Sequence, residues 1–156
     1  MDRLELTITD LGHQTAMRRA IGEHLADCGV CDGPVSDVNL VATELLTNAF
    51  EHGGALAVLI MVQCDAGSVT VHVAHVEPLV EVNVHVESDD AERTPKHPVR
   101  WPMDRPAMPP PHVERGRGLA IVDALTVEFA TWTDDHDRQW ARARIERQAA
   151  AGSTSR

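Results

Sequence analysis

The chain has 156 residues, 43% of them hydrophobic, and its 14 Lys and Arg against 24 Asp and Glu give a formal net charge of -10. That size and apolar content suit one compact domain, and the acidic balance argues against nucleic acid as the main partner, because such binding is largely neutralisation of phosphates by clustered cations. A basic protein partner fits better, and with no basic-then-apolar leader and no apolar run near the roughly 18 residues of a membrane span, a cytoplasmic protein away from membranes is expected.

In chain order, Leu4, Leu6 and Ile8 alternate with polar residues, which predicts a half-buried strand. Met17, Ile21, Leu25 and Cys28 recur at helical spacing over about residues 13–27, an amphipathic first helix closed by Gly29. "CDGPVSD" is turn chemistry, with Ser36 or Asp37 expected as the N-cap of a second helix. That helix sets Val38, Val41, Ala42, Leu45 and Ala49 on one stripe and ends at Gly53 and Gly54. Glu44, Asn48 and His52 fall four residues apart and share a neighbouring stripe.

"LAVLIMVQ", the turn "CDAGS" and "VTVHVAHV" predict an antiparallel hairpin. A third alternating run, "LVEVNVHVES", follows Pro78. His72 and His85 alternate with valines and are expected as imidazoles on a wet sheet face. Residues 95–111 contain seven of the nine prolines, so this stretch reads as a semi-rigid surface loop. "GRGLAIVDAL" opens a last helix with Leu119, Val122 and Leu125 apolar. "VEFATWT", "DDHD" and "RQWARARIE" make a closing hairpin, and residues 149–156 form a frayed tail.

Three cysteines are an odd count, which disfavours a disulfide framework. Cys28 and Cys31 form a C-x-x-C that could supply half of a zinc site; Cys64 is the other thiol, and His24 stands one helical turn before Cys28. The expectation is a loop with two incidental thiols.

Two segments carry more specific chemistry. The second helix offers Glu44 and Asn48, and "RGRGLAIV" has Gly116 and Gly118 at a helix start, where the backbone can approach a ligand and free N–H groups suit an anion. "ELLTNAFEHG" followed by "GRGLAIV" resembles the N box and second glycine box of the ATPase superfamily that joins gyrase, the heat-shock chaperone, histidine kinases and DNA mismatch-repair proteins. With the opening strand and helix, "HGG" and the W…W hairpin, the sequence looks most like the anti-sigma-factor serine/threonine kinases of Gram-positive bacteria, particularly actinomycetes, over about residues 4–146.

The resemblance implies ATP and Mg²⁺ as cofactors, and a sigma factor and an anti-anti-sigma factor as partners, the latter phosphorylated on serine or threonine. Asn48 would hold Mg²⁺ through its side-chain oxygen, and Glu44 would be the general base. Arg115, Gly116, Arg117, Gly118 and Leu119 would line the phosphates, with His52 near the nucleotide. The implied fold is α+β, a two-layer α/β sandwich of the Bergerat ATP-binding type, with helices on one face of a mixed, mainly antiparallel sheet. One domain over 1–148 is expected, with a lid and inserted segment at about 76–115, and a homodimer is left open.

The sequence departs from the family at the first glycine box, whose Asp accepts from the adenine amino group. "VAHVEP" puts His75 there, and an imidazole offers one acceptor, only when neutral. The alternative alignment assigns that place to Asp89. His75 lies 27 residues after Asn48 and 41 before Gly116, whereas Asp89 reverses those distances, so one segment has been inserted. Two functions stay open: a regulatory kinase, and a non-catalytic partner-switching protein on the same fold with weak or no ATP binding.

Overall fold

The computed structural model describes residues 2–77 and 117–147. Strand β1 (Asp2–Ile8) leads through a 3-10 turn at Leu11–His13 to helices α1 (Gln14–Asp27) and α2 (Asp32–Glu51). Hairpin strands β2 (Ala57–Cys64) and β3 (Ser68–Val76) follow, then helix α3 (Gly118–Leu125) and hairpin strands β4 (Glu128–Thr133) and β5 (Gln139–Glu146). The sheet order is β1-β2-β3-β5-β4, and all four pairings are antiparallel. The expected α+β sandwich is therefore what forms, and over the described residues its sheet is antiparallel rather than mixed. The run at 79–88, the proline-rich loop, Asp89, Arg115, Gly116 and the tail at 149–156 lie outside the described residues.

The core follows from the two periodicities. Val58, Ile60 and Val62 of β2 and Val69, Val71 and Val73 of β3 occupy alternate positions and are buried, packing with Met17, Ile21 and Leu25 of α1 and Val38, Val41, Leu45 and Leu46 of α2. Each such side chain contributes about 1.5–3 kcal/mol by leaving water. A change such as Leu46→Ala, at a fully buried position, would cost about 2–5 kcal/mol because a cavity remains.

Helix α1 stops as expected at Gly29, whose φ of 69° is left-handed. The N–H of Val30 donates to the carbonyl of Leu25 and that of Gly29 to Ala26, both at 2.9 Å, so the last carbonyls are satisfied by a Schellman closure. Helix α2 departs from expectation by starting at Asp32, with Cys31 as N-cap and no side-chain cap bond. Ser36 and Asp37 therefore lie inside the helix. Pro34 permits the early start because the N–H it lacks has no intrahelical acceptor in the first turn.

His72 corrects another expectation. It does lie on the sheet face away from the core, yet it is flanked by Met61 on β2 and Arg142 on β5. Its Nδ1 is buried without a hydrogen-bond partner. Burial, helped by the charges of Arg142 and Arg3, pulls its pKa down to about 4.

No helix among the described residues is long and apolar enough to cross a membrane.

Candidate functional site

Helix α2 brings Glu44 and Asn48 to one stripe, and α3 begins at Gly118 directly against them. A Cβ placed on Gly118 would lie 2.5 Å from Glu44 Oε2 and 3.7 Å from Asn48 Nδ2. Only a residue without a side chain lets the start of α3 come this close to the carboxylate. The acid, the amide and the glycine, separated by some seventy positions in the chain, thus share one point in space.

The polar groups there are poised rather than satisfied. Asn48 Nδ2 is buried with no hydrogen-bond partner among the described residues, which is a cost unless another group meets it. Burial raises the pKa of Glu44, with the charge of Arg18 opposing the shift and that of Glu51 adding to it. Arg18, on α1, is anchored by donating from Nε to Thr43 Oγ1 at 3.1 Å, and Thr43 in turn donates to the carbonyl of Asn39 at 2.7 Å. Nothing in the sequence pattern singled out Arg18, because its relation to Glu44 depends on how α1 packs on α2.

Beside this junction a cleft of about 570 Å³ opens between α2, α3 and the sheet. Asn48, His52 and Gly53 line it from α2 and its end, Leu119 from α3, and His75 from β3. Phe129 borders it from the core-facing side of β4, whereas Trp132 and Trp140 of the closing hairpin belong to the opposite face of the sheet and meet the cleft only at its edge. The two indoles stack with centroids 5.8 Å apart and planes within 4°. Trp140 is fixed further by donating its indole N–H to Asp134 Oδ2 at 3.0 Å.

His75 sits on the same face of β3 as the buried Val71 and Val73, which turns its ring into the cleft and against Gly53. Burial lowers its pKa, so the ring is neutral near pH 7 and retains one acceptor nitrogen. Gly53 matters for space: a Cβ there would collide with the His75 ring and come within 2.8 Å of the Ala49 carbonyl.

Of the residues singled out from sequence, Glu44, Asn48, Gly118, Leu119, His52 and His75 thus converge on this region. Arg117 is the N-cap of α3, so it stands at the same junction. The donor set fits an ATP–Mg²⁺ group on its own chemistry: an amide whose oxygen is a hard ligand for the ion, a glycine-opened helix start, a carboxylate one turn away and a cleft beside them.

A helix pair closed over an antiparallel sheet, with this cleft between them, is the architecture of the ATP-binding sandwich class. Residues 7–145 match the histidine kinase-like ATPase domain, and the chain belongs to that family. Among solved structures it is similar to the crystal structure of the RsbU and RsbW domains of a Mycobacterium tuberculosis protein, with a TM-score of 0.55 and 19% identity. The likeness covers 93% of this chain and 33% of the other, so the chain spans a third of that protein's length, and it is a likeness of fold. No curated protein matches.

Proposed function

We propose that the chain is an anti-sigma regulatory factor that binds ATP and Mg²⁺, a sigma factor and an anti-anti-sigma partner, and phosphorylates that partner on serine or threonine. The observation that carries this reading is the closure of Glu44 and Asn48 against Gly118. An RsbW domain in the structural neighbour and the acidic charge of the chain are in keeping with a partner-switching role.

In this reading the Asn48 side-chain oxygen is the hard ligand for Mg²⁺, and the backbone at Arg117, Gly118 and Leu119 faces the phosphates at the start of α3. Arg115 and Gly116 would extend that turn, and His52 would flank the nucleotide. When bound, Mg²⁺ neutralises the charge on the phosphate oxygens. Glu44 accepts the proton of the attacking hydroxyl; the burial that raises its pKa makes it a stronger base than a solvated carboxylate. Neutral His75 offers its acceptor nitrogen to the adenine amine, and Phe129 lies along the same core-facing side of the cleft. Calorimetric titration with ATP and Mg²⁺, followed by incubation with labelled ATP and the cognate antagonist, tests this reading. Absence of both nucleotide affinity and transfer would end it.

A second reading, sequestration by contact alone, is favoured by His75 standing where the family carries an Asp. Its signature is capture of a sigma factor that is indifferent to ATP and to Asn48→Ala. Sequestration that required nucleotide would exclude it.

A further inference from the structure

At the end of the sheet opposite His75, three side chains from two elements converge. Cys64, the last residue of β2, is buried; Cys28 caps α1; and His24 lies one turn earlier on the same helix. Both Cys28 Sγ and Cys64 Sγ are 3.9 Å from the same atom, His24 Nε2. Among the described residues this is the one place where three ligand atoms of metal-binding type lie within 4.8 Å of one another. A fourth is adjacent: Asp2 Oδ2 is 3.9 Å from Cys28 Sγ, and Asp2 pairs directly with Cys64 in the β1–β2 register. Cys31, the other half of the C-x-x-C, is exposed and takes no part in the cluster.

We propose that Cys28, Cys64 and His24, completed by Asp2, form a tetrahedral site for a zinc-type divalent cation. Bond lengths of about 2.3 Å to sulfur and about 2.0–2.1 Å to nitrogen place neighbouring ligand atoms of a tetrahedron roughly 3.5–3.8 Å apart. The two sulfur-to-imidazole separations need to contract by only a few tenths of an ångström, and Asp2, which stands outside the three-ligand cluster, has to turn in to complete it. Two thiols and an imidazole select a borderline-soft ion over Mg²⁺ or Ca²⁺. As each sulfur–metal bond forms, the thiol proton passes to solvent, so no oxidant or reductant is involved.

The surroundings hold the ligands together before any ion arrives. Arg147 donates to the carbonyls of Cys28 and Gly29 at 3.1 Å and of Asp65 at 2.9 Å, tying the end of α1 to the turn after Cys64. Its guanidinium also offsets the surplus negative charge of two thiolates and a carboxylate around a divalent ion. Cys64 lies six positions along β2 from Val58, the partner of His75, or roughly 20 Å of strand. The site therefore acts as a clamp joining β1, α1 and β2, apart from the nucleotide cleft.

The test uses the full chain, purified under reducing conditions, stripped with a chelator and titrated with Co²⁺ and then Zn²⁺. The expected result is one ion per chain, thiolate-to-cobalt charge-transfer absorption with tetrahedral ligand-field bands, and loss of that spectrum on adding Zn²⁺. Cys28→Ser and Cys64→Ser abolish the spectrum and Cys31→Ser leaves it intact. In the unaltered protein, Zn²⁺ protects Cys28 and Cys64 from alkylation, read by peptide mass, while Cys31 continues to label; this measurement needs no variant to fold. Equal labelling of Cys28 and Cys64 with and without Zn²⁺, or a cobalt spectrum that survives Cys64→Ser and disappears with Cys31→Ser, would overturn the proposal.

Discussion

At each end of the β2–β3 hairpin a histidine, His75 of β3 at one and His24 of α1 at the other, joins a cluster of polar groups, and the two clusters are built in different ways. At the His75 end, groups on α2, α3 and β3 surround a cleft, and Asn48 is left with a buried nitrogen that meets no partner among the described residues. At the Cys64 end, His24 lies 3.9 Å from the sulfurs of both Cys28 and Cys64, and Asp2 lies 3.9 Å from Cys28. The first arrangement has room for a large ligand and a buried amide nitrogen to meet it, whereas the second brings two thiols and an imidazole within 4.8 Å of one another. Space and unsatisfied polar atoms, rather than residue type alone, separate a substrate site from a clamp.

The sharpest way to break that contrast is to remove the proton acceptor from the cleft end. Glu44→Gln keeps the shape and deletes the base, so phosphoryl transfer should fall by about 10²–10⁴-fold while calorimetry still detects nucleotide. Gly118→Ala should reproduce much of the loss, since its methyl would arrive 2.5 Å from Glu44 Oε2. Unimpaired transfer in Glu44→Gln would remove that residue from the mechanism. Neither change should alter metal uptake at the far end.

Between the two ends, on the open sheet face, His72 should dominate the response to acid. Its folded pKa is lowered from 6.5 to about 4, so the unfolded chain binds the extra proton first. Stability is accordingly complete above about pH 6.5 and is lost as the pH falls towards 4. At about 1.4 kcal/mol per pH unit, that gap amounts to on the order of 3 kcal/mol. Urea unfolding at a series of pH values measures it, and His72→Val should flatten the profile across this window. A variant profile as steep as that of the parent would assign the acid sensitivity elsewhere.

Gly53→Ala examines how tightly the cleft end is built. The added methyl meets the His75 ring and the Ala49 carbonyl, an overpacking worth about 1–3 kcal/mol. Nucleotide affinity should change along with stability because His75 has to move. A neutral result in both measurements would mean that the ring is free to swing aside.

The smallest effect serves as a control shared by both ends. Gly29, at φ 69° beside the thiol cluster, and Gly54, at φ 65° beside the cleft, are both left-handed with open space around them. Replacing either by Ala should cost about 1–2 kcal/mol through backbone strain alone. Matching losses in urea unfolding would show that the difference between the ends lies in side chains; a much larger cost at one end would show that its backbone is also committed.

The helix stripe and helix start that border the cleft follow local rules, whereas only the resemblance to the family joins them into one site. Glu44 and Asn48 are four apart on one helix, and Gly118 opens another, so spacing alone put each on a defined stripe or cap. The buried faces of α1, α2, β2 and β3 followed from period 3.6 and period 2 in the same way. The start of α2 was misplaced because Ser36 and Asp37 are ordinary N-cap residues, and a proline in the first turn gives no local hint of which residue begins the helix. His72 was read as wet because alternation fixes the face of a strand but not what the neighbouring strands lay across it.

By itself, then, the sequence determined which side chains point inward, where helices and strands lie to within a few residues, and that Glu44 and Asn48 share a helix stripe. Only the tertiary structure decided that Cys28 leaves its C-x-x-C partner for His24 and Cys64, that Arg18 approaches Glu44, and that Gly53 makes room for His75. The reason is physical: periodicity is a property of one element, whereas strand register and helix packing set distances between elements, and those distances appear only once the core has closed.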